Sequence, residues 1–519
     1  MMQKLERPWL GHVAIDVLLL TGWLAAVGMV IFHERGGLTQ PLDNPMTSLT
    51  ATLKVKEQWF GIYYQGRSVG FSQLSIFPDE RDGVPGVRIT DLGRVAFNLL
   101  GETQELDVVA RAFINADWRL QLFTAEVRSP TYTIKWLGKR QGEELLMTVS
   151  TPESSVTKRL HDPASSAFVN GLSSWMAFHR LRLGESGRAW MLNPLSLTPE
   201  VVYFTVRKRE VIDGQQVLVV ESDVNGLVTT TWITSDGEVV KEVSPLGWEL
   251  RRETHDQAIQ HYKDARGGNT PDLLASTSVV LDRSIDHPEQ TKRLVLLVKG
   301  IGSEGIEVHR PWQLVLPPER LQHYHRDPPK GAWCIVQLDR PNAPTDAAAA
   351  ATSDAPPERY RQPSLFVQSD DPRVIAKAKE IIGANTDPWQ RVMALNHWVF
   401  STVKKQLTVG FPSAVDVLST PVGDCHEHTV LFTALARSLG LPTRMIAGLV
   451  SMQGRMYYHA WPEVWVGRWI PTDPTLGQPV ADATHLGLIE AESEQLISLS
   501  QYLGKLSVEV LDVEEVAQP

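Results

Sequence analysis

Between Val422 and Thr475 the chain places a cysteine ahead of an apolar-striped helix, a histidine on a later strand and an aspartate beyond the strand after that. This order constrains the fold more than any other feature, because a helix docked on a sheet can bring the three side chains together. Cys425 lies in Val422-Gly423-Asp424-Cys425-His426-Glu427-His428. The stripe Leu431, Ala434, Leu435 and Leu439 predicts a helix from about Cys425 to Leu439, with Gly440 as its stop and Pro442 blocking resumption. Strands are predicted over 444–450, 457–466 and 468–471. His459 falls on the second and Asp473 just past the third. A turn at Gly467 between antiparallel strands sets Asp473 beside His459.

These residue types are those of a thiol nucleophile, its base and the group that orients the base. A free thiol titrates near about 8.5, so only a few per cent is thiolate at neutral pH. Lowering that value to roughly 5.5 requires about 4 kcal/mol. A helix amino terminus supplies about 0.3–1 kcal/mol. A protonated histidine in contact must supply the rest, and His459 is the candidate. The backbone N–H of Cys425 can serve one half of an oxyanion hole, whereas the second donor is not identifiable. His426 and His428 stand two apart on the helix and point away from each other, which makes a poor joint metal site. They are expected to line the cleft and the polar start of the helix. Trp461, Glu463 and Trp465 share a strand face with His459, and both tryptophans are expected in the core. No metal and no cofactor is expected, and His485 has no assigned role.

The motifs Gly423-Asp424-Cys425, Ala434-x-x-Arg437-x-x-Gly440-x-Pro442-x-Arg444, His459-Ala460-Trp461-x-Glu463-x-Trp465 and Trp469-x-x-x-Asp473-Pro474-Thr475 resemble the transglutaminase-like superfamily, over roughly Asp371 to Leu488. The resemblance implies a papain-like α+β core, with the cysteine on a helix and the histidine and aspartate on a sheet. Carried over, Cys425 is the nucleophile, His459 the base and acid, and Asp473 the orienter. The acceptor stays open, since relatives include cross-linking transglutaminases, proteases, amidases and inactive members. Thr402 to Gly423 lacks the tryptophan that cross-linking animal members carry there, and no calcium loop is evident. The expected function is a membrane-anchored thiol acyl-transfer enzyme acting on a peptide or amide carbonyl, with hydrolysis (cysteine protease or amidase) favoured. Transfer to an amine and a non-catalytic envelope scaffold are the alternatives.

The chain has 519 residues, so several folded units are expected. A net charge of −10 without a Lys/Arg cluster excludes nucleic acid as an expected partner. The expected partner is instead a peptide or protein substrate in the cell envelope. Two cysteines exclude a disulfide framework, and Cys334, in an apolar run, reads as a buried structural thiol. Residues 9–32 are apolar apart from His12 and Asp16 and read as an uncleaved transmembrane helix. Lys4 and Arg7 precede it, so residues 1–8 are expected in the cytoplasm and the bulk outside, in a periplasm if the cell is Gram-negative. A linker over 33–56 leads to an antiparallel β-rich domain over 57–265, with hairpins at Gln65-Gly66, Asp213-Gly214, Asn225-Gly226 and Asp236-Gly237, and a helix over 168–181. A small β-domain over 277–340, an Ala/Pro-rich linker over 341–357 and the α+β catalytic domain over 358–505 follow. In that last domain Asp371-Pro372 and Asp387-Pro388 each signal a helix start.

Overall fold

A computed structural model describes residues 56–515, apart from breaks at 100–101, 116–118, 162–168, 171–181, 194–197, 225–226, 235–237, 268–269, 271, 307–309, 345–355, 407–411, 491, 493–498 and 500–501. It also describes Val30–Phe32. These residues form two compact units, divided between Leu273 and Leu274.

Alternation of apolar and polar residues, punctuated by two-residue turns, builds the first unit. In Glu144–Ser150 every second residue is buried, as a strand with one face on a core requires. At Asp213-Gly214 both residues have positive φ, +49° and +78°, which suits the twist of flanking strands and needs a glycine at the second position. Sixteen strands make one antiparallel sheet. At its centre Lys56–Tyr64 pairs with Trp248–Glu253, the first strand of the expected 57–265 domain beside its last. One wing runs outward in chain order from Arg67–Arg81 to Ser155–His161, and the other runs back from Val239–Val243 to Ser186–Asn193. A helix, His255–Arg266, covers the central strands through Ala258, Tyr262 and Ala265 against Phe71 and Ala96. Its start is a capping box between Thr254 and Gln257.

The N-terminal expectation is corrected at its end. Among the described residues no helix is long and apolar enough to cross a membrane. Val30–Phe32, the last residues of the expected span, form a strand paired with Val169–Asn170 and Ser186–Asn193. Residues 9–29 of that span lie outside the described residues, as do 168 and 171–181 of the expected 168–181 helix, whose Val169–Asn170 are strand instead, and 345–355 of the expected linker.

The second unit is α+β. Its first sheet joins β1 (Val279–Val280), β7 (Thr443–Met452), β8 (Arg455–Trp465), β9 (Trp469–Pro471) and β10 (Leu486–Glu490). A second sheet joins β2 (Thr291–Lys299), β3 (Gln313–Leu316), β4 (Trp333–Asp339) and β11 (Ser507–Glu515). The sheet expected over 277–340 is thus completed by a strand from the far carboxyl end, which the sequence left unassigned. Cys334 is buried on β4, and burial pushes its thiol up to about 11. Between the sheets in sequence lie α1 (Pro372–Ile382), α2 (Pro388–Thr402), α3 (Ala414–Ser419) and α4 (Cys425–Ser438). The starts of α1 and α2 are as read. Asp371 accepts from Arg373 N, Asp387 accepts from Gln390 N, and proline occupies the first helical position of each. A parallel pair, β5 (Lys404–Lys405) and β6 (Val422–Gly423), borders the start of α4. The buried cluster of Val392, Leu395, Val399, Leu431, Leu435 and Met445 presses α4 between α2 and the first sheet.

Candidate active site

Three local contacts set the position of Cys425. The Asp424 side chain accepts from His426 N at 3.1 Å and from Glu427 N, while Glu427 Oε2 accepts from Asp424 N at 2.7 Å. This closes a capping box. Glycine at 423 is required by the same fold-back, since a Cβ there would lie 2.4 Å from the Glu427 side chain. Cys425 is therefore the first residue of α4, at the end where the helix dipole favours an anion. One turn later Thr429 Oγ1 donates to the carbonyl of Ala460 at 3.1 Å, which registers α4 on β8 beside His459.

On β8, His459 Nε2 lies 2.7 Å from Asp473 Oδ2. The two residues meet because β9 turns back antiparallel on β8, with Glu463 opposite Pro471. Thr472 N then donates to Pro462 O at 3.0 Å. From α2, the buried Asn396 Nδ2 donates to Thr472 Oγ1 at 2.8 Å. Asp473 uses both oxygens, since Oδ1 accepts from Thr475 N at 2.7 Å and Leu476 N at 3.0 Å. The adjacent histidines hold its carboxyl below the ordinary carboxylate range, against the opposing effect of full burial. An ionised carboxylate only accepts, so His459 Nε2 carries the proton of this bond. In the neutral ring Nδ1 then bears the lone pair. Nδ1 is buried and makes no hydrogen bond among the described residues, which is the state a proton acceptor for a thiol needs.

Cys425, His459 and Asp473 are all fully buried. His426 and His428 are as well, which corrects their expected place on a polar helix surface. His428 Nδ1 instead bonds the carbonyl of Asp424 at 2.6 Å, and burial pushes its ring down to about 4. Trp461 is in the core as read, stacked on His459 at 6.0 Å.

Four neighbours were not legible as site residues. His485 Nε2 lies 3.1 Å from Asp473 Oδ2, so two imidazoles share one oxygen. Asp482 holds the other nitrogen of His485 at 3.1 Å. Glu463 is buried with Arg310 at 2.6 Å and Arg444 at 2.8 Å. Lys405 rests on the Phe400 ring at 3.8 Å, and burial brings it down to about 8 despite the opposing charge of Asp473. A faint signal existed for the first two, Asp-x-x-His over 482–485. A small pocket with room for about one water, lined by Arg310, Trp312, Trp461, Glu463, Asp482 and His485 among others, lies beside them. One ligand atom each from His459, Asp473 and His485 lies within 4.8 Å of the others, near enough to share an ion. Here they meet directly, through the 2.7 and 3.1 Å contacts to Asp473.

A cysteine thus opens a helix that is registered on the sheet carrying a hydrogen-bonded His–Asp pair. Residues 375–474 match the family model of the transglutaminase-like superfamily, and this chain carries a transglutaminase-like domain. An uncharacterized protein of Mycobacterium leprae is 30% identical over 126 residues, 22% of this chain. The match spans less than half, 44%, of that relative's length. Among solved structures, a candidate cysteine protease from Cytophaga hutchinsonii is 14% identical, covering 44% of this chain and 89% of its own, with a TM-score of 0.28. A β-barrel-like protein of unknown function from Brucella abortus is 10% identical, covering 38% and 94%, also with a TM-score of 0.28. Both likenesses are too slight to carry a fold or an activity across.

Proposed function

We propose that the domain is a thiol acyl-transfer enzyme that hydrolyses peptide or amide bonds, a cysteine protease or amidase. The Cys425 thiolate attacks the carbonyl carbon, and His459 gives its proton to the leaving amine. Water then attacks the thioester, giving one proton to His459 and releasing the carboxylic acid and the Cys425 thiolate. Asp473 holds the tautomer and stabilises imidazolium. The observation that carries this reading is the His459–Asp473 bond, which leaves Nδ1 with a free lone pair on the strand registered against the helix that Cys425 opens. Hydrolysis is preferred to cross-linking because no tryptophan occurs over 402–423. The apolar run over 9–29, ahead of the Val30–Phe32 strand, is the basis for proposing a membrane tether with the enzyme outside the cytoplasm, acting on envelope peptides or proteins.

The test is the pH profile of iodoacetamide labelling at Cys425 in the full chain, with His459→Ala as control. The expected result is an inflection well below the free-thiol value of about 8.5 that disappears in the variant. An inflection near 8.5 in both proteins eliminates the activated pair and moves the scaffold reading forward.

A further inference from the structure

The Asp473 carboxylate closes a ring of hydrogen bonds. Its backbone exchanges two 2.8 Å bonds with Gln478, one in each direction. Gln478 Nε2 donates to Asp482 Oδ2 at 2.8 Å, and Asp482 N donates to Gln478 Oε1 at 2.9 Å. Asp482 Oδ1, which also accepts from Thr484 N and Oγ1, faces His485 Nδ1. His485 Nε2 then returns to Asp473 Oδ2. Among the described residues every hydrogen-bond partner of the His485 ring is an acceptor: Asp482 Oδ1 and the Asp482 carbonyl at Nδ1, Asp473 Oδ2 at Nε2. A neutral ring would press a lone pair against one of these oxygens, so the geometry requires both nitrogens to carry protons.

We propose that His485 is a positioning residue of the active site, a fixed imidazolium that holds Asp473 in place and tempers the charge Asp473 presents to His459. The proposal rests on the thiol–imidazole reading above. The titratable and charged groups around the ring are Asp473, Asp482 and His459, with Glu463, Arg310 and Asp339 along the shared cavity. Burial alone would strip the proton from such a ring. Asp482 and Asp473 outweigh it and hold His485 up at about 10.

Position and charge separate in two variants. His485→Ala removes both, whereas His485→Gln keeps an N–H donor and removes only the charge. The readout is the pH profile of Cys425 alkylation by iodoacetate, whose carboxylate favours the imidazolium-paired thiolate. The alkaline limb therefore reports loss of the His459 proton. His485→Ala is expected to slow labelling about 10-fold or more at every pH, the scale of a misplaced catalytic group. His485→Gln is expected to retain most of the rate and move the alkaline limb up by about 1 unit, because Asp473 then acts uncompensated on His459. An unmoved limb in His485→Gln overturns the proposal. Should the alanine variant fail to fold, ring ¹⁵N shifts of His485 in the full chain, assigned against His485→Gln, decide independently. Two protonated nitrogens at pH 8 support it and one refutes it. Wild-type protein with no activated thiol removes both this proposal and the reading beneath it, whereas a normal wild-type profile with unmoved variants removes this one alone.

Discussion

Asp473 stands before a proline, where an aspartate can be a turn residue or an orienter of histidine, and it is both. Oδ1 caps the turn through Thr475 and Leu476, and Oδ2 takes the two imidazoles. Asp473→Asn keeps one of these roles. If the amide oxygen stays with the turn, its NH₂ faces His459 and forces the proton onto Nδ1, the wrong tautomer for accepting from a thiol. Labelling of Cys425 at pH 7 is expected to fall by about 10³–10⁴ while the fold persists. Retention within tenfold would refute the tautomer argument. The His459–Asp473 pairing and the place of Cys425 at a helix start were legible because the residues and the strand order lie close in sequence. His485 was not, since its meaning comes from β10 returning beside β7, which no local pattern announces.

The start of α4 shows a helix cap working against burial. Glu427 caps Asp424 N, yet it is fully buried, and desolvation, with Asp424 adding to it, pushes its carboxyl up to about 8. Its folded value thus exceeds its unfolded value of about 4.5. The stability it contributes is fully present below about pH 4.5 and is lost as pH rises toward 8. Glu427→Gln keeps an acceptor for the cap and removes the charge. It is expected to stabilise the chain by about 1–3 kcal/mol at pH 8 and by almost nothing at pH 4, as thermal unfolding at the two pH values can check. An equal gain at both would mean that buried charge is not the cause. Helix starts were legible here because caps are local chemistry. The fold-back of Glu427 over Gly423 was not, because it depends on the absence of a Cβ.

At the scale of the molecule, each unit is held by contacts far apart in sequence. In the second unit Arg310 reaches Glu463, and Gln313 Nε2 donates to Gly487 O at 2.8 Å, tying residues at β3 to the first sheet. Arg310→Ala leaves a buried carboxylate with only the half-buried Arg444 as an ion-pair partner among the described residues, and is expected to cost about 3–5 kcal/mol. A loss below 1 kcal/mol in chemical denaturation would show that water can replace the pair. The hairpins at Gln65-Gly66 and Asp213-Gly214 were legible from their turn residues, whereas the turns expected at 225–226 and 236–237 lie outside the described residues, and the pairing of the unit's first and last strands was not legible. In that pairing Tyr63 and Glu253, 190 residues apart, become neighbours. A ribosome adding about 5–20 residues per second needs roughly 10–40 s to make that stretch. Throughout that interval the strand at Lys56–Tyr64 has one row of backbone donors and acceptors with no partner. For this chain the interval of greatest exposure to mispairing falls during its own synthesis, and it ends only when Trp248–Glu253 emerges.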